Sequence, residues 1–281
     1  MIGVFDSGLG GLTVLRELSL RFRHADFVYL ADHAHVPYGN RSSDEIIDFT
    51  RGCVEDLFGR GARLALLGCN TATAVALRRL QQHWLPSSKW AGTHNVLGIV
   101  APTVEAATQT PWAVTAPQYP QKNNTDTIAV FGTMRTVTSG VYPEEIRKRC
   151  PKVTIVQQIC SDLAGAIESR RPEADLERLV AEGVSGIMAQ TQNMPPHRAI
   201  LGCTHFPLVE HLFRRHLPPF TRILSQPEVI ADSFEDYLAR RPHYLAGNEG
   251  GRLTLLTTGD PASVSAQARV FWPQVAAFAQ A

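Results

Sequence analysis

Short apolar runs alternate with amphipathic stretches along almost the whole chain. IGVF at 2–5 leads into a glycine-rich turn, DSGLGG. LTVLRELSLRF follows, with Leu12, Leu15, Leu18 and Phe22 on one helical face, and then FVYLAD. Strand, turn, helix, strand in that order opens a parallel βαβ unit. Beyond HAHVPYGNR, Ser42 with Glu45 three residues later is a capping-box signature for a helix over SSDEIIDFTRGCVEDLFGRG, which Gly59 and Gly61 close. LALLG then reads as a strand ending at Cys69, and TATAVALRRLQQHW as a helix that Pro86 is expected to stop.

The alternation continues through NVLGIVAP, TIAVFGT and VTIVQQIC as strands, with helices over TVEAA, VYPEEIRKRC, LAGAIESRR and ADLERLVAEGVSGIMAQ. HRAILG ends at Cys203; PLVEHLFRRHL, RILS, EVIADSFEDYLARR, RLTLLTTG and a helix from about Pro261 to Phe271 complete the pattern. Residues 86–95 and 108–126, rich in Pro, Ser, Thr, Gln and Asn, read as loops. LALLGCNTATA and AILGCTHFPL nearly repeat one another, their cysteines 134 positions apart. The fold class is therefore α/β: two comparable domains, each a mostly parallel sheet flanked by helices. Because a helix and a strand remain after Cys203, residues 1–97 with 209–281 are expected to form the first domain and 98–208 the second. Ligands of open α/β sheets bind at the carboxyl ends of strands, so a site in the cleft between the halves, with one sulfur on each side, is expected.

At 281 residues and 44% hydrophobic content the chain can bury a large core. Its net charge of +1, without a basic block, offers no support for nucleic-acid or membrane-surface binding and points to a small-molecule partner. MIGVFDSG enters a strand at once and no apolar run approaches a membrane span, so a cytoplasmic location is expected. There the five cysteines stay reduced, and their odd number does not suit a closed disulfide framework.

Cys53, Cys150 and Cys160 sit where a small apolar side chain would pack. Cys69 and Cys203 differ: each follows a glycine at a strand end, where the start of a helix favours negative charge on sulfur. His33 and His35, and Cys203 with His205, lack the paired spacing of a structural zinc site; no metal is expected, and His33 and His35 read as a solvated loop. DSGLGG has Thr13 where a dinucleotide fingerprint needs glycine, yet its glycines let backbone approach a ligand carboxylate. Asp6 reads as a turn residue or as a carboxylate near the first sulfur, and Pro37-Tyr38-Gly39 as a turn on the same rim, whose backbone and side-chain donors could hold a second ligand carboxylate.

Taken together, DSGLGGLTV, PYGNRS, GCNTATA and LGCTHFPL resemble the glutamate racemases, from Ile2 to about the TTGD at 257–260. The resemblance implies a two-domain fold with pseudo-twofold symmetry, cofactor-independent racemization of glutamate for peptidoglycan synthesis, and Cys69 and Cys203 as catalytic acid and base, assisted by Asp6 and His205. It carries substrate binding onto Asp6 and Ser7, Tyr38 and Gly39 with Pro37 before them, Asn70 and Thr71, and Thr204 and His205. Glu168 matches a family glutamate, and a homodimer is compatible with the resemblance. The four lysines, Lys89, Lys122, Lys148 and Lys152, lie in polar loops or helix ends, which argues against pyridoxal phosphate; no cofactor is expected. Two alternatives stand beside this reading: a racemase of aspartate or another acidic amino acid, and a non-catalytic regulator such as a gyrase-binding homologue.

Overall fold

A computed structural model of the chain describes residues 1–111, 114, 116, 117, 119, 125–247 and 250–281, so part of the loop expected over 108–126 lies outside the described residues. The first half of the chain forms β1 (Ile2–Asp6), α1 (Leu12–Arg21), β2 (Phe27–Ala31), α2 (Ser43–Gly59), β3 (Leu64–Leu67), α3 (Asn70–Arg79), α4 (Leu85–Ser87), β4 (Asn95–Gly98), α5 (Val100–Thr108) and β5 (Thr127–Gly132). The second half forms α6 (Met134–Thr138), α7 (Val141–Arg149), β6 (Thr154–Ile159), α8 (Leu163–Glu168), α9 (Glu173–Gln190), β7 (Arg198–Gly202), α10 (Glu210–His216), β8 (Arg222–Leu224), α11 (Gln226–Ala239), β9 (Leu253–Thr257), α12 (Pro261–Ala268) and β10 (Ala279–Gln280).

Two parallel sheets result, ordered β10-β9-β2-β1-β3-β4 and β6-β5-β7-β8. β1, β2, β3 and β7 are buried along their whole length, as expected of strands covered by helices on both faces. The chain divides into two compact units, Met1–Ile99 with Ile230–Ala281, and Val100–Val229. In the first, α2 and α3 pack Val54, Leu57, Ala72 and Ala76 onto Phe5, Ala65 and Leu67. In the second, Phe131 and Leu201 meet Ile187 and Phe213 on one face, while Val130 and Ile200 meet Val104, Tyr142 and Ile146 on the other. The strand connections correspond: β1 lies between β2 and β3 with β4 beyond, as β5 lies between β6 and β7 with β8 beyond.

Local chemistry explains several boundaries. The Ser42 side chain accepts from the Glu45 amide while the Glu45 carboxylate accepts from the Ser42 amide, so the capping box opens α2 as its residues dictate. Gly61, at φ +98°, takes the left-handed turn after α2 that other residues resist. Pro86 does not stop the helix after Cys69. A π turn over Leu80–Trp84 shifts the hydrogen-bond ladder, and Pro86 falls in the opening turn of α4, where a missing N–H is tolerated.

The strand expected over NVLGIVAP ends at Gly98, and Val100 already begins α5 with Pro102 in its first turn. Residues 209–229 belong to the second unit and not to the first domain, because β8 pairs with β7 from Arg198↔Arg222 onward. α6, capped by the Thr133 hydroxyl, and the short β10 have no counterpart in the apolar periodicity.

α3 is seated on the first sheet at one close approach. A Cβ on Gly98 would collide with Thr73 Cγ2 and lie 2.7 Å from Leu77 Cδ2, while the Thr73 hydroxyl bonds Leu67 O at 3.1 Å. Gly98→Ala is therefore expected to lower the unfolding free energy by about 1–3 kcal/mol, read from urea midpoints. An unchanged midpoint would mean that α3 is free to retreat from β4.

Candidate active site

In the first unit the register Phe5↔Leu67 brings the carboxyl ends of β1 and β3 side by side, sealed by the Gly68 amide on Phe5 O at 2.7 Å. The residues just past those ends, Ser7 and Cys69, meet with 3.3 Å between Oγ and Sγ. Cys69 caps α3, its sulfur accepting from the Ala72 amide at 3.4 Å. That sulfur thus sits on the positive end of the helix dipole, where negative charge is stabilised. Asn70 and Thr71 open the same helix and are buried.

Asp6 ends β1 in an almost fully buried position, where its Oδ1 accepts from the Gly8 amide at 2.7 Å. Gly11 allows this: a Cβ there would lie 2.8 Å from Asp6 Cβ and 3.0 Å from its carboxylate. The Tyr29 hydroxyl holds the glycine turn from behind through Gly8 O at 2.9 Å.

Pro37 precedes a 3-10 turn over Tyr38–Asn40. The Tyr38 side-chain donor expected to face a ligand is already committed: its hydroxyl donates to Asp32 Oδ2 at 2.6 Å, and the ring is buried. Burial first, then the nearby Asp32 charge, push the Tyr38 pKa far up, so the phenol stays a donor. His33–His35 is partly exposed, as expected of a solvated segment, but it is ordered. It forms a 3-10 turn in which His35 Nδ1 bonds Asp32 at 2.8 Å and its ring stacks on Phe49 at 3.9 Å, because a buried carboxylate draws donors inward.

The second unit repeats the arrangement with different helpers. Gly132↔Gly202 aligns the ends of β5 and β7, which puts Thr133 at the strand end beside that of Cys203, the position Ser7 holds next to Cys69. Cys203 does not run directly into an α-helix. A 3-10 turn over Phe206–Val209, with Pro207 in its first turn, intervenes before α10. A polar neighbour of its sulfur is His205, whose Nδ1 lies 3.7 Å from Sγ while Nε2 lies 3.0 Å from Glu168 Oε1. Burial opposes charge on this imidazole, yet Cys203 and Glu168 together hold its pKa well above the ordinary histidine range. Thr204 is buried beside it.

Of the residues singled out in the sequence, Asp6, Ser7, Cys69, Asn70 and Thr71 converge at one apex, with Pro37, Tyr38 and Gly39 following the adjacent strand end; Cys203, Thr204 and His205 form the other apex. Thr133 and Asp32 carry no motif signal beyond a polar residue after an apolar run. Glu168, legible only as a glutamate matching the resemblance, gains its meaning from the bond to His205. Burial raises the Cys53 and Cys150 thiols and pushes Cys160 up to about 12, so these three are neutral packing groups at pH 7. No helix among the described residues is long and apolar enough to cross a membrane.

No protein-family model matches the chain. It is 46% identical over 275 residues to the glutamate racemase of Phenylobacterium zucineum, covering 96% of each protein. Among solved structures it is similar to glutamate racemase isoform RacE1 from Bacillus anthracis, with a TM-score of 0.84 and 26% identity over 100% of this chain and 97% of that one. It shares its fold with the Francisella tularensis glutamate racemase solved in complex with D-glutamate, with a TM-score of 0.81 and 21% identity over 99% and 95% of the two chains. By near-full-length identity of this degree, the chain belongs to the glutamate racemase family of amino-acid isomerases.

Proposed function

We propose that this protein interconverts L- and D-glutamate without a cofactor, with Cys69 and Cys203 as the two acid/base groups, and that in the cytoplasm it supplies D-glutamate for peptidoglycan. The carrying observation is that corresponding strands of the two units each end in Gly-Cys with a polar partner on the sulfur, Ser7 on Cys69 and the His205–Glu168 pair on Cys203. Inversion at Cα requires one group to remove a proton and another to return one on the opposite face. In one direction the Cys69 thiolate takes the Cα proton and the Cys203 thiol delivers its own; the reverse direction exchanges their roles. Two like groups therefore suit a reaction whose two directions are chemically equivalent.

Asn70, Thr71 and Thr204, with backbone amides of the glycine turn, supply donors for one substrate carboxylate and for the charge that develops on the carbanion, while the amides of the Tyr38-Gly39 loop hold the second carboxylate. Asp6 orients the ammonium group or relays protons near Cys69. His205, charged beside Cys203, offsets the anionic sulfur and can return its proton.

Incubated without cofactor, the purified chain should drive the circular dichroism of L-glutamate to zero, and the signal of L-aspartate in a parallel sample should change far more slowly. A persistent L-glutamate signal would support a non-catalytic binder, and faster loss with aspartate would support the other substrate. Cys69→Ser and Cys203→Ser should each lower racemization by about 10²- to 10⁴-fold, the scale of a general acid or base. Wild-type turnover in both variants would sink the two-thiol mechanism.

The His205 environment makes a pH statement. Because its folded pKa is raised, its stabilising contribution is complete below the unfolded value of about 6.5 and is lost as pH climbs through the raised value. Its charge beside Cys203 is lost over the same pH range. Glu168→Gln removes one of the groups holding that proton, so the alkaline limb of kcat/KM should move to lower pH. An unmoved limb would show that His205 does not contribute its charge to turnover.

A further inference from the structure

The TTGD string at 257–260 ends β9, and its second threonine reaches far from its own strand. Thr258 Oγ1 donates to Asp32 Oδ1 at 2.8 Å and accepts from the Ala34 amide at 3.1 Å. Asp32, one residue beyond β2 and 1% exposed, also receives the Tyr38 hydroxyl at 2.6 Å and His35 Nδ1 at 2.8 and 2.9 Å to its two oxygens. A buried carboxylate is tolerated only when such donors surround it, so it fixes whatever carries them. Gly259 permits the approach, since a Cβ there would stand 3.1 Å from His33 Cβ. The Thr258 amide on Ala31 O adds a backbone tie at 3.0 Å.

We propose that Asp32 and Thr258 are positioning residues for the Pro37-Tyr38-Gly39 loop, setting its backbone to receive a carboxylate of the amino-acid substrate. The inference rests on the reading, given above, that this loop contacts glutamate. Tyr38 is the link: its hydroxyl is bound by Asp32 and its ring is lodged between Phe5 and Phe49, with centroids 6.3 and 6.1 Å away, so the loop's remaining donors are backbone amides whose direction the Asp32 cluster sets. None of these groups contacts a sulfur at hydrogen-bond range among the described bonds, and the loop grips ground state and transition state alike. Loosening it should therefore act on binding and leave the chemical step alone.

Thr258→Val, which keeps the shape and removes the hydroxyl, should raise the KM for L-glutamate and the Kd for D-glutamate by calorimetry about tenfold, the scale of one charge-assisted hydrogen bond. Its kcat should stay within about twofold of wild type. Thr258→Ser should restore both constants. Tyr38→Phe should show the same rise, and the double variant should be no worse than the poorer single one, because both cut one chain of contacts. Unchanged constants in either single variant, failure of serine to restore them, or fully multiplicative effects would overturn the proposal. Should Thr258→Val not fold, Asp32→Asn, which leaves β9 intact, should raise both constants in the same way, and unchanged constants in it would overturn the proposal. A wild-type chain that binds D-glutamate without racemizing it would remove the acid/base reading while the Kd comparison still tests the loop; one that racemizes while the variants keep wild-type Kd would remove the loop argument only; one that neither binds nor racemizes removes both.

Discussion

The cysteine apex of each half depends on one backbone constraint, the in-register parallel pairing of a central strand with the strand that runs into Gly-Cys. Phe5↔Leu67 and Gly132↔Gly202 make both strands of each pair terminate at the same level. The first residues released from the ladder then emerge side by side, which is how Ser7, 62 positions from Cys69, comes within 3.3 Å of its sulfur. A slip of one residue would turn every side chain of the strand to the opposite face and separate the pair. Burial on both faces prevents that slip, so core packing and site geometry are one requirement.

From this common frame the two sulfurs acquire unlike surroundings. Cys69 is held on a helix terminus, whose field comes from fixed backbone dipoles and does not titrate. Cys203 is served by a side chain, His205, whose charge depends on Glu168 and on pH. The difference follows from local sequence: Asn70-Thr71-Ala72 continues into a regular helix, whereas Pro207 helps give the segment after Thr204-His205 a 3-10 start. Two corresponding thiols are thus set in one permanent and one adjustable electrostatic environment.

Much of this was legible in the residues. Short apolar runs and period-3.6 patterns marked most elements, Ser42 with Glu45 marked a cap that forms as drawn, and the repeated Gly-Cys marked both apices. What escaped was set by partners distant in sequence or by hydrogen-bond ladders that periodicity does not encode. Pro86 reads as a stop in the sequence because its place in a π-shifted ladder has no signature. Residues 209–229 went to the wrong half because strand pairing, and not order along the chain, decides membership. Asp32, which engages the Tyr38 hydroxyl, carries no motif signal, and Thr258 lies 226 positions from the carboxylate it binds.

The discontinuous first unit has a consequence in time. Val100–Val229 is a single stretch and is complete as soon as it has been synthesized, but the first sheet gains β9 against β2 only when residues 253–257 exist. Until then β2 is an open edge, and Asp32 beyond its end lacks the threonine that binds it. In ribosomal order, the half of the molecule that begins first is finished last, and the loop that presents Tyr38 and Gly39 takes its final setting among the closing events of folding.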